Sequence, residues 1–132
     1  MGTVGYLFDT HTFLWMVGES RKLGENARKV LEDTGVQLFV SAVSAFEIMN
    51  KYRIGKLPGY KNVSENYLSV LGELGAAELP ISTLHAHYAG EFVWTHRDPF
   101  DRLLAAQAHL ENLTLLTNDP VFQSLSWISV LW

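Results

Sequence analysis

One segment constrains the fold more than any other, because it predicts a helix joined directly to a buried strand. It begins at Asp98-Pro99 and ends at Asp119. Asp98 is a typical N-cap residue, and Pro99 suits the first helical position, where a missing N–H costs nothing. Leucine and alanine dominate up to Asn112, the expected C-terminal cap, and the apolar run 113–117 is typical of a buried strand. A helix that leads straight into a buried strand indicates an α/β fold.

The rest of the chain repeats this alternation of short apolar strands and amphipathic helices. Strands are predicted at residues 4–9, 36–40, 77–81, 113–117 and 127–132, with helices between them. Such alternation favours a parallel sheet covered by helices on both faces. No linker, repeat or low-complexity run divides the sequence, so we expect a single domain over residues 1–132.

Composition excludes several classes of protein. The chain has no cysteine, which excludes disulfides and cysteine nucleophiles and is compatible with a reducing cytoplasm. The N-terminal apolar run is interrupted by Asp9 and His11, so neither a signal peptide nor a membrane span is predicted. The formal net charge of −4 argues against a general nucleic-acid binder. That argument weakens if four acidic side chains hold divalent cations, because their neutralisation brings −4 to zero.

Acidic side chains follow the predicted ends of three strands. Asp9 follows the first strand, Glu47 lies just after the second, and Asp119 follows a later one, whose preceding helix is opened by Asp101. Because the carboxyl ends of parallel strands meet at one edge of a sheet, these carboxylates are expected to converge. Without a Lys or Arg among them, such a cluster repels itself unless it binds cations or protons. Oxygen ligands favour Mg²⁺ or Mn²⁺, and two such ions are a standard arrangement for cleaving phosphodiesters with water.

Some of these residues also have purely structural interpretations. Asp9 is equally suited to capping the helix that follows it. Ser44 and Glu47 have the spacing of a capping box, in which Glu47 reaches back to the Ser44 N–H. His85 and His87 are two residues apart in a predicted helix and cannot share one face. We therefore expect one half-buried and one solvated histidine there instead of a metal site.

Three segments, in this order, resemble PIN-domain ribonucleases and among them the VapC-like toxins of toxin–antitoxin pairs. They are residues 6–15 around Asp9, residues 41–57 around Glu47, and residues 98–119 with their D-P-F-D-R-L-L helix start and T-N-D strand end. The last segment is the most specific, and the resemblance spans nearly the whole chain. It implies a three-layer α/β/α sandwich with a central, mainly parallel five-stranded sheet, usually as a homodimer.

The resemblance also implies roles for individual residues. Asp9, Glu47, Asp101 and Asp119 match the acidic quartet that holds Mg²⁺ or Mn²⁺ and carries catalysis. Thr117 and Asn118 match polar substrate-binding positions beside the last acid, whereas Asp98 matches the helix cap. Toxins of this family cleave RNA in the cytoplasm and are blocked by a cognate antitoxin protein.

Several basic side chains are candidates for holding the flanking phosphates of an RNA substrate. For each of them, an ordinary surface charge is at least as good an explanation. They are Lys51, Arg53, Lys56, Arg97 and Arg102.

The aromatic content predicts an apolar docking surface, and the resemblance implies that the antitoxin occupies it. Four Trp, five Tyr and seven Phe are more than a core of this size readily hides. Part of this set is expected in the core, and the remainder is expected to form an apolar groove beside the acidic site. The candidates near the first two acids are Phe13, Trp15, Met16, Phe46, Met49 and Tyr52.

Two other functions are compatible with parts of the pattern. A non-catalytic interaction module with the PIN fold is one, although buried unpaired acids are costly without a metal. A phosphatase of the haloacid-dehalogenase type is the other and fits less well, because it needs a second Asp where this chain has His11.

Overall fold

The computed structural model describes residues 4–132, which form one sheet with helices on both faces. The strands are β1 (Gly5–Phe8), β2 (Gln37–Ser41), β3 (Ala76–Leu79), β4 (Thr114–Leu116) and β5 (Ser129–Leu131). The helices are α1 (Thr10–Gly18), α2 (Glu25–Glu32), α3 (Ala42–Arg53), α4 (Lys61–Glu65), α5 (Tyr67–Glu73), α6 (Thr83–Glu91) and α7 (Pro99–Leu110). Two short 3₁₀ helices lie at Ser20–Lys22 and Pro120–Ser124.

The five strands are parallel throughout and follow the order β3-β2-β1-β4-β5. The predicted α/β/α sandwich with a parallel five-stranded sheet is confirmed. The chain builds outward from β1 through β2 to β3, then crosses to the other side of β1 for β4 and β5. Ligands of open α/β sheets bind outside the carboxyl ends of the strands where the order reverses, which is here the boundary between β1 and β4.

Each face of the sheet has its own hydrophobic core. Leu7 and Phe8 are both fully buried yet belong to opposite cores, and the same holds for Leu115 and Leu116. Successive side chains of a strand point to opposite faces, so a strand covered on both sides must be apolar at every position. This is why β1 and the Leu115-Leu116 pair of β4, at the centre of the sheet, are apolar on both faces.

Helix α7 begins and ends where the sequence predicts. Asp98 Oδ1 accepts hydrogen bonds from the backbone N–H groups of Phe100 at 2.8 Å and Asp101 at 3.3 Å. At the other end, Asn112 takes a φ of 54°, a left-handed conformation that asparagine tolerates well. Within residues 4–132, no helix combines the length and the apolar character needed to cross a membrane.

Candidate metal centre

Asp9 lies at the middle of the candidate site, directly after β1, and is only 6% exposed. Its backbone N–H donates to the Leu116 carbonyl at 3.1 Å, and the Thr117 hydroxyl donates to its Oδ2 at 2.7 Å. The side chain caps no N–H of α1, so the capping interpretation of Asp9 is wrong. Burial raises the pKa of Asp9 despite the Thr117 hydrogen bond, and the nearby Asp119 carboxylate raises it further.

Glu47 is oriented by two hydroxyl groups for which the sequence predicted no such role. Thr10 donates to Glu47 Oε1 at 2.7 Å, and Thr10 Oγ1 lies 2.8 Å from Ser44 Oγ. Because a hydroxyl carries one proton, Ser44 is the donor of the second bond. The predicted capping box at Ser44 is therefore wrong, and Ser41 caps α3 by accepting from the Val43 N–H at 3.0 Å. Burial raises the pKa of Glu47 in spite of the Thr10 hydrogen bond.

Asp101, in the first turn of α7, has a histidine partner that the sequence analysis missed. His96 Nε2 lies 2.7 Å from Asp101 Oδ2. Burial raises the pKa of Asp101 to about 6, which the His96 hydrogen bond opposes and the charges of Asp98 and Asp9 reinforce. The only signal for His96 in the sequence is its place just before the Asp98 cap. That signal is weak, because the contact depends on how the intervening loop folds.

His96, Asp98 and Asp101 also form a local cluster. Among residues 4–132, they are the only group of three or more His, Asp or Glu side chains whose ligand atoms all lie within 4.8 Å of one another. The ligand atoms of Asp9, Glu47, Asp101 and Asp119 do not all lie within this distance of one another. These four acids are connected through Asp9, whose charge raises the pKa of both Glu47 and Asp101.

Asp119 completes the site from the end of β4. Its backbone N–H donates to Thr117 Oγ1 at 3.0 Å, and its Oδ1 accepts from the Val121 N–H at 3.0 Å. Thr117 thus joins Asp119 to Asp9, while Asn118 between them is exposed. A solvent-open cavity of about 380 Å³ lies in front of these residues, lined by Asp9, His11, Trp15, Asn118, Asp119 and Pro120.

The four acids share one property, which is that none of them forms an ion pair with a Lys or Arg among residues 4–132. Within this part of the chain, His96 beside Asp101 is the one basic contact. Carboxylates crowded in this way favour protonation, which is the direction of the three raised pKa values. A set of carboxylate and hydroxyl oxygens is also what hard cations prefer. The residues present therefore fit Mg²⁺ or Mn²⁺.

Arg102 is hydrogen-bonded mainly to the backbone of its own chain. Its guanidinium donates to the backbone carbonyls of Ala89, Phe92, Trp94 and His96. Four of its five N–H donors are used in this way, which leaves one N–H for the predicted phosphate contact, and that contact stays a prediction. Arg102 thereby fixes the loop that carries His96 towards Asp101.

The other predicted phosphate contacts are distributed over the surface near the site. Arg53 is exposed and donates to Asn50 Oδ1 at 2.7 Å on the same helix. Lys51 is half-buried, and its charge lowers the pKa of Glu47 against the larger effect of burial. Lys56 and Arg97 are exposed.

An apolar groove lies on α3, the helix that also carries Glu47. Phe46 is 61% exposed, and its ring centroid lies 5.6 Å from that of Phe100, the neighbour of Asp101. The groove thus lies on the helix that carries Glu47, and through Phe46 it contacts the helix that carries Asp101. Its cavity of about 580 Å³ is lined by Phe46, Met49, Asn50, Tyr52 and Arg53. Phe13, by contrast, is fully buried in a core.

Comparison with known proteins gives a family and a fold. The PIN domain family model matches residues 6–128. None of the curated protein sequences matches the chain. Solved structures with a similar fold include a chain of VapBC2 from Rickettsia felis bound to a DNA fragment from their promoter, at 18% identity and a TM-score of 0.69. That match covers 97% of this chain and 98% of the other.

Two further structures are similar over nearly their whole length. A chain of DNA-bound VapBC from Salmonella typhimurium has 19% identity and a TM-score of 0.69, with 98% of each chain covered. A chain of a toxin–antitoxin complex from Klebsiella pneumoniae has 18% identity and a TM-score of 0.66, with 96% of each chain covered. At these identities the similarity demonstrates a shared fold.

Proposed function

The chain belongs to the PIN domain family, and we propose that it is a metal-dependent endoribonuclease, the toxin of a toxin–antitoxin pair acting in the cytoplasm. The observation that carries this proposal is the grouping of Asp9, Glu47, Asp101 and Asp119 at the carboxyl edge of the sheet, without Lys or Arg partners. The toxin assignment is supported by the fold shared with the Klebsiella pneumoniae toxin–antitoxin complex.

The four acids are proposed to hold one or two Mg²⁺ or Mn²⁺ ions. When bound, such an ion lowers the pKa of a water molecule that attacks phosphorus and stabilises the charge that develops on the phosphate. The hydroxyls of Thr117 and Thr10 fix the orientation of Asp9 and Glu47 through their 2.7 Å hydrogen bonds. His96 orients Asp101 in the same way, through a contact of 2.7 Å between His96 Nε2 and Asp101 Oδ2.

Substrate contacts are proposed for polar residues at the rim of the site. Asn118 is exposed beside Asp119, and Thr117 lies between Asp9 and Asp119. Lys51 and Arg53 lie on the helix that carries Glu47 and are proposed to contact phosphates away from the cut.

The groove around Phe46 and Met49 is the proposed docking surface of the antitoxin. An amphipathic segment bound there would lie across the acidic edge, next to both Glu47 and Asp101, and would block access of RNA. A homodimer is also proposed. Exposed leucines outside this groove, Leu68 and Leu84, are its candidate contacts.

A cleavage assay with labelled single-stranded RNA tests the enzymatic part of the proposal. Mg²⁺ or Mn²⁺ should support cleavage, EDTA should abolish it, and an excess of metal over chelator should restore it. The Asp119→Asn protein is the matched control for a contaminating nuclease, because it should be inactive under every condition. Full activity in EDTA would contradict the metal mechanism. Absence of cleavage in the presence of metal would contradict the nuclease proposal and favour the alternative, a non-catalytic interaction module with the PIN fold.

Co-expression tests the toxin part separately. The protein alone should arrest growth, and the product of the neighbouring open reading frame should relieve the arrest and co-purify with it. A harmless protein that binds no such product, yet still cleaves RNA with metal, would be a PIN nuclease that is not a toxin.

A further inference from the structure

The cavity in front of Asp9 has an aromatic wall that the proposed metal chemistry does not use. Trp15 and His11 project from α1 one turn apart, and their ring centroids lie 6.1 Å apart. His11 is exposed and Trp15 is half-buried, so both rings border the cavity rather than the core. The exposed amide of Asn118 and the carboxylate of Asp119 also line it.

Trp15 contacts two side chains that do not line the cavity, Trp132 and Lys22. The Trp132 ring packs edge-on at a centroid distance of 5.7 Å and an angle of 66°. Trp132 itself lies directly over Gly24, where an added Cβ would come within 2.5 Å of Trp132 Cδ1, so only glycine leaves it room. Lys22 Nζ lies 5.6 Å from the Trp15 ring centroid and is paired with Glu19 at 2.6 Å. The aromatic wall is thus fixed before any ligand binds.

We propose that Trp15, with His11 and Asn118, forms a nucleobase subsite beside the scissile phosphate, so that the substrate is RNA whose base at this position is unstacked. The inference rests on the proposed nuclease function. Single-stranded nucleic acids are held by bases stacking on aromatic side chains next to a site that binds the backbone, and this cavity joins both elements. The Asn118 amide offers a donor and an acceptor to a base edge.

A protein partner fits this wall less well than a base does. Besides Trp15 and Pro120, the cavity is bordered by the polar residues Asp9, Asp119, Asn118 and His11, whereas the groove at Phe46 and Met49 accommodates an apolar anchor of a partner without an acid in its lining. The two surfaces also differ in their relation to the acids. Asp9 and Asp119 line the cavity at Trp15, whereas the groove is lined by Phe46, Met49, Asn50, Tyr52 and Arg53.

The test measures RNA affinity in the Asp101→Asn protein, which should not turn over its substrate. Fluorescence anisotropy with a labelled single-stranded octamer in Mg²⁺ gives the Kd. Adding Trp15→Leu should raise the Kd about tenfold or more, whereas Trp15→Phe should keep it within about threefold of the parent. Trp127→Leu is the matched control, because Trp127 packs against Tyr88, Phe92 and His109 away from the cavity. Its Kd should not change.

Abasic substitutions in the octamer make the test specific to stacking. At one position of the octamer, removal of the base should raise the Kd of the parent protein as much as Trp15→Leu does. Combining this abasic octamer with the Trp15→Leu protein should raise the Kd no further. In the active protein, Trp15→Leu should raise KM with little change in kcat. The subsite would be overturned if the increases in Kd from Trp15→Leu and from the abasic site were additive at every position. An unchanged Kd in folded Trp15→Leu protein would also overturn it.

Two outcomes separate this inference from the proposed function. If wild-type protein cleaves no RNA but the Kd values behave as described, the nuclease proposal fails and the subsite stands. If Trp15→Leu retains its RNA affinity but no longer co-purifies with the antitoxin, the wall belongs to the protein partner and the inference is wrong. Absence of measurable RNA binding would also overturn it.

Discussion

Two buried polar side chains in this molecule, His85 and Asp9, have opposite surroundings. His85, 3% exposed at the junction of α6 and α7, accepts the Ser82 N–H at Nδ1 at 3.0 Å. Its proton is therefore on Nε2, which lies 2.8 Å from Glu111 Oε1. Asp9 is buried to a similar degree, but its side chain has one hydroxyl donor and several acidic neighbours.

The difference shows that depth of burial does not distinguish a structural from a functional polar residue. The groups around His85 complement it, so the cluster ties α6 to α7 and contributes to stability. Burial raises the pKa of Asp9, and the neighbouring carboxylate of Asp119 adds to this, so the charged form of Asp9 opposes folding unless a proton or a cation intervenes. Acids arranged at such a cost are candidates for function, whereas satisfied polar groups are not.

The largest expected effect concerns activity at the acidic edge. Asp119→Asn should lower RNA cleavage by several orders of magnitude, because it removes a charged metal ligand while preserving size. Circular dichroism should show the same cooperative unfolding as wild type. An active Asp119→Asn protein would mean that Asp119 has only its structural role at the Val121 N–H.

The second effect concerns stability at the satisfied cluster. His85→Ala should lower the free energy of unfolding by about 2–4 kcal/mol, because it leaves the Ser82 N–H without its partner and opens space in the interior. His87, two residues along the same helix, is exposed, as the sequence predicts for one of the pair. His87→Ala should change stability by less than about 0.5 kcal/mol. Equal effects in urea titrations would contradict the comparison.

The third effect is a gain in stability from the substitution of a partly buried residue, where a loss is usual. The pKa of Asp101 is about 6 in the folded protein against 3.8 ordinarily, so the folded state binds more protons. Without metal, the contribution of Asp101 to stability should be present in full below about pH 4 and should be lost as the pH rises through 6. Asp101→Asn removes this loss. The full shift corresponds to about 3 kcal/mol, and solvent screening at this partly exposed site reduces the expected gain to about 1–2 kcal/mol.

Thermal melts in EDTA at pH 4 and pH 8 measure this effect. The Asp101→Asn protein should melt higher than wild type at pH 8 and near it at pH 4. The opposite order would show that Asp101 is stabilised as a carboxylate.

The smallest expected effect concerns Asp98. Asp98→Ala removes the hydrogen bonds to the Phe100 and Asp101 N–H groups and should cost about 1 kcal/mol. Part of this loss should be offset, because the charge of Asp98 raises the pKa of Asp101. Cleavage activity should persist. Complete loss of activity in a stable Asp98→Ala protein would place Asp98 among the metal ligands, together with His96.

The sequence predicts the sheet and the position of its acids well for a physical reason. A strand buried on both faces must be an apolar run, and helices between such runs make it parallel, so Asp9 and Asp119 are expected at one edge. The hydrogen bonds at the site were not predictable in this way. Thr10 bridging to Glu47 and His96 reaching Asp101 depend on the packing of α1 against α3 and on the course of a loop.

Arg102 illustrates the same limit. An arginine one residue after a predicted metal ligand is a reasonable candidate for a phosphate contact. Its real partners are four backbone carbonyls of the chain between α6 and α7, which carry no sequence signal. The spacing in the sequence placed Arg102 next to the site but did not indicate which groups its guanidinium contacts.

A metal titration followed by thermal melting tests the central claim most directly, namely that the unpaired acids form a site for hard divalent cations. In wild-type protein, Mn²⁺ should raise Tm by several degrees in a saturable way, since an ion at a hundred times its Kd contributes about 2.7 kcal/mol. In the Asp9→Asn protein, Tm should start higher in EDTA and respond little to Mn²⁺. No rise in wild type, or an equal rise in both proteins, would contradict the claim.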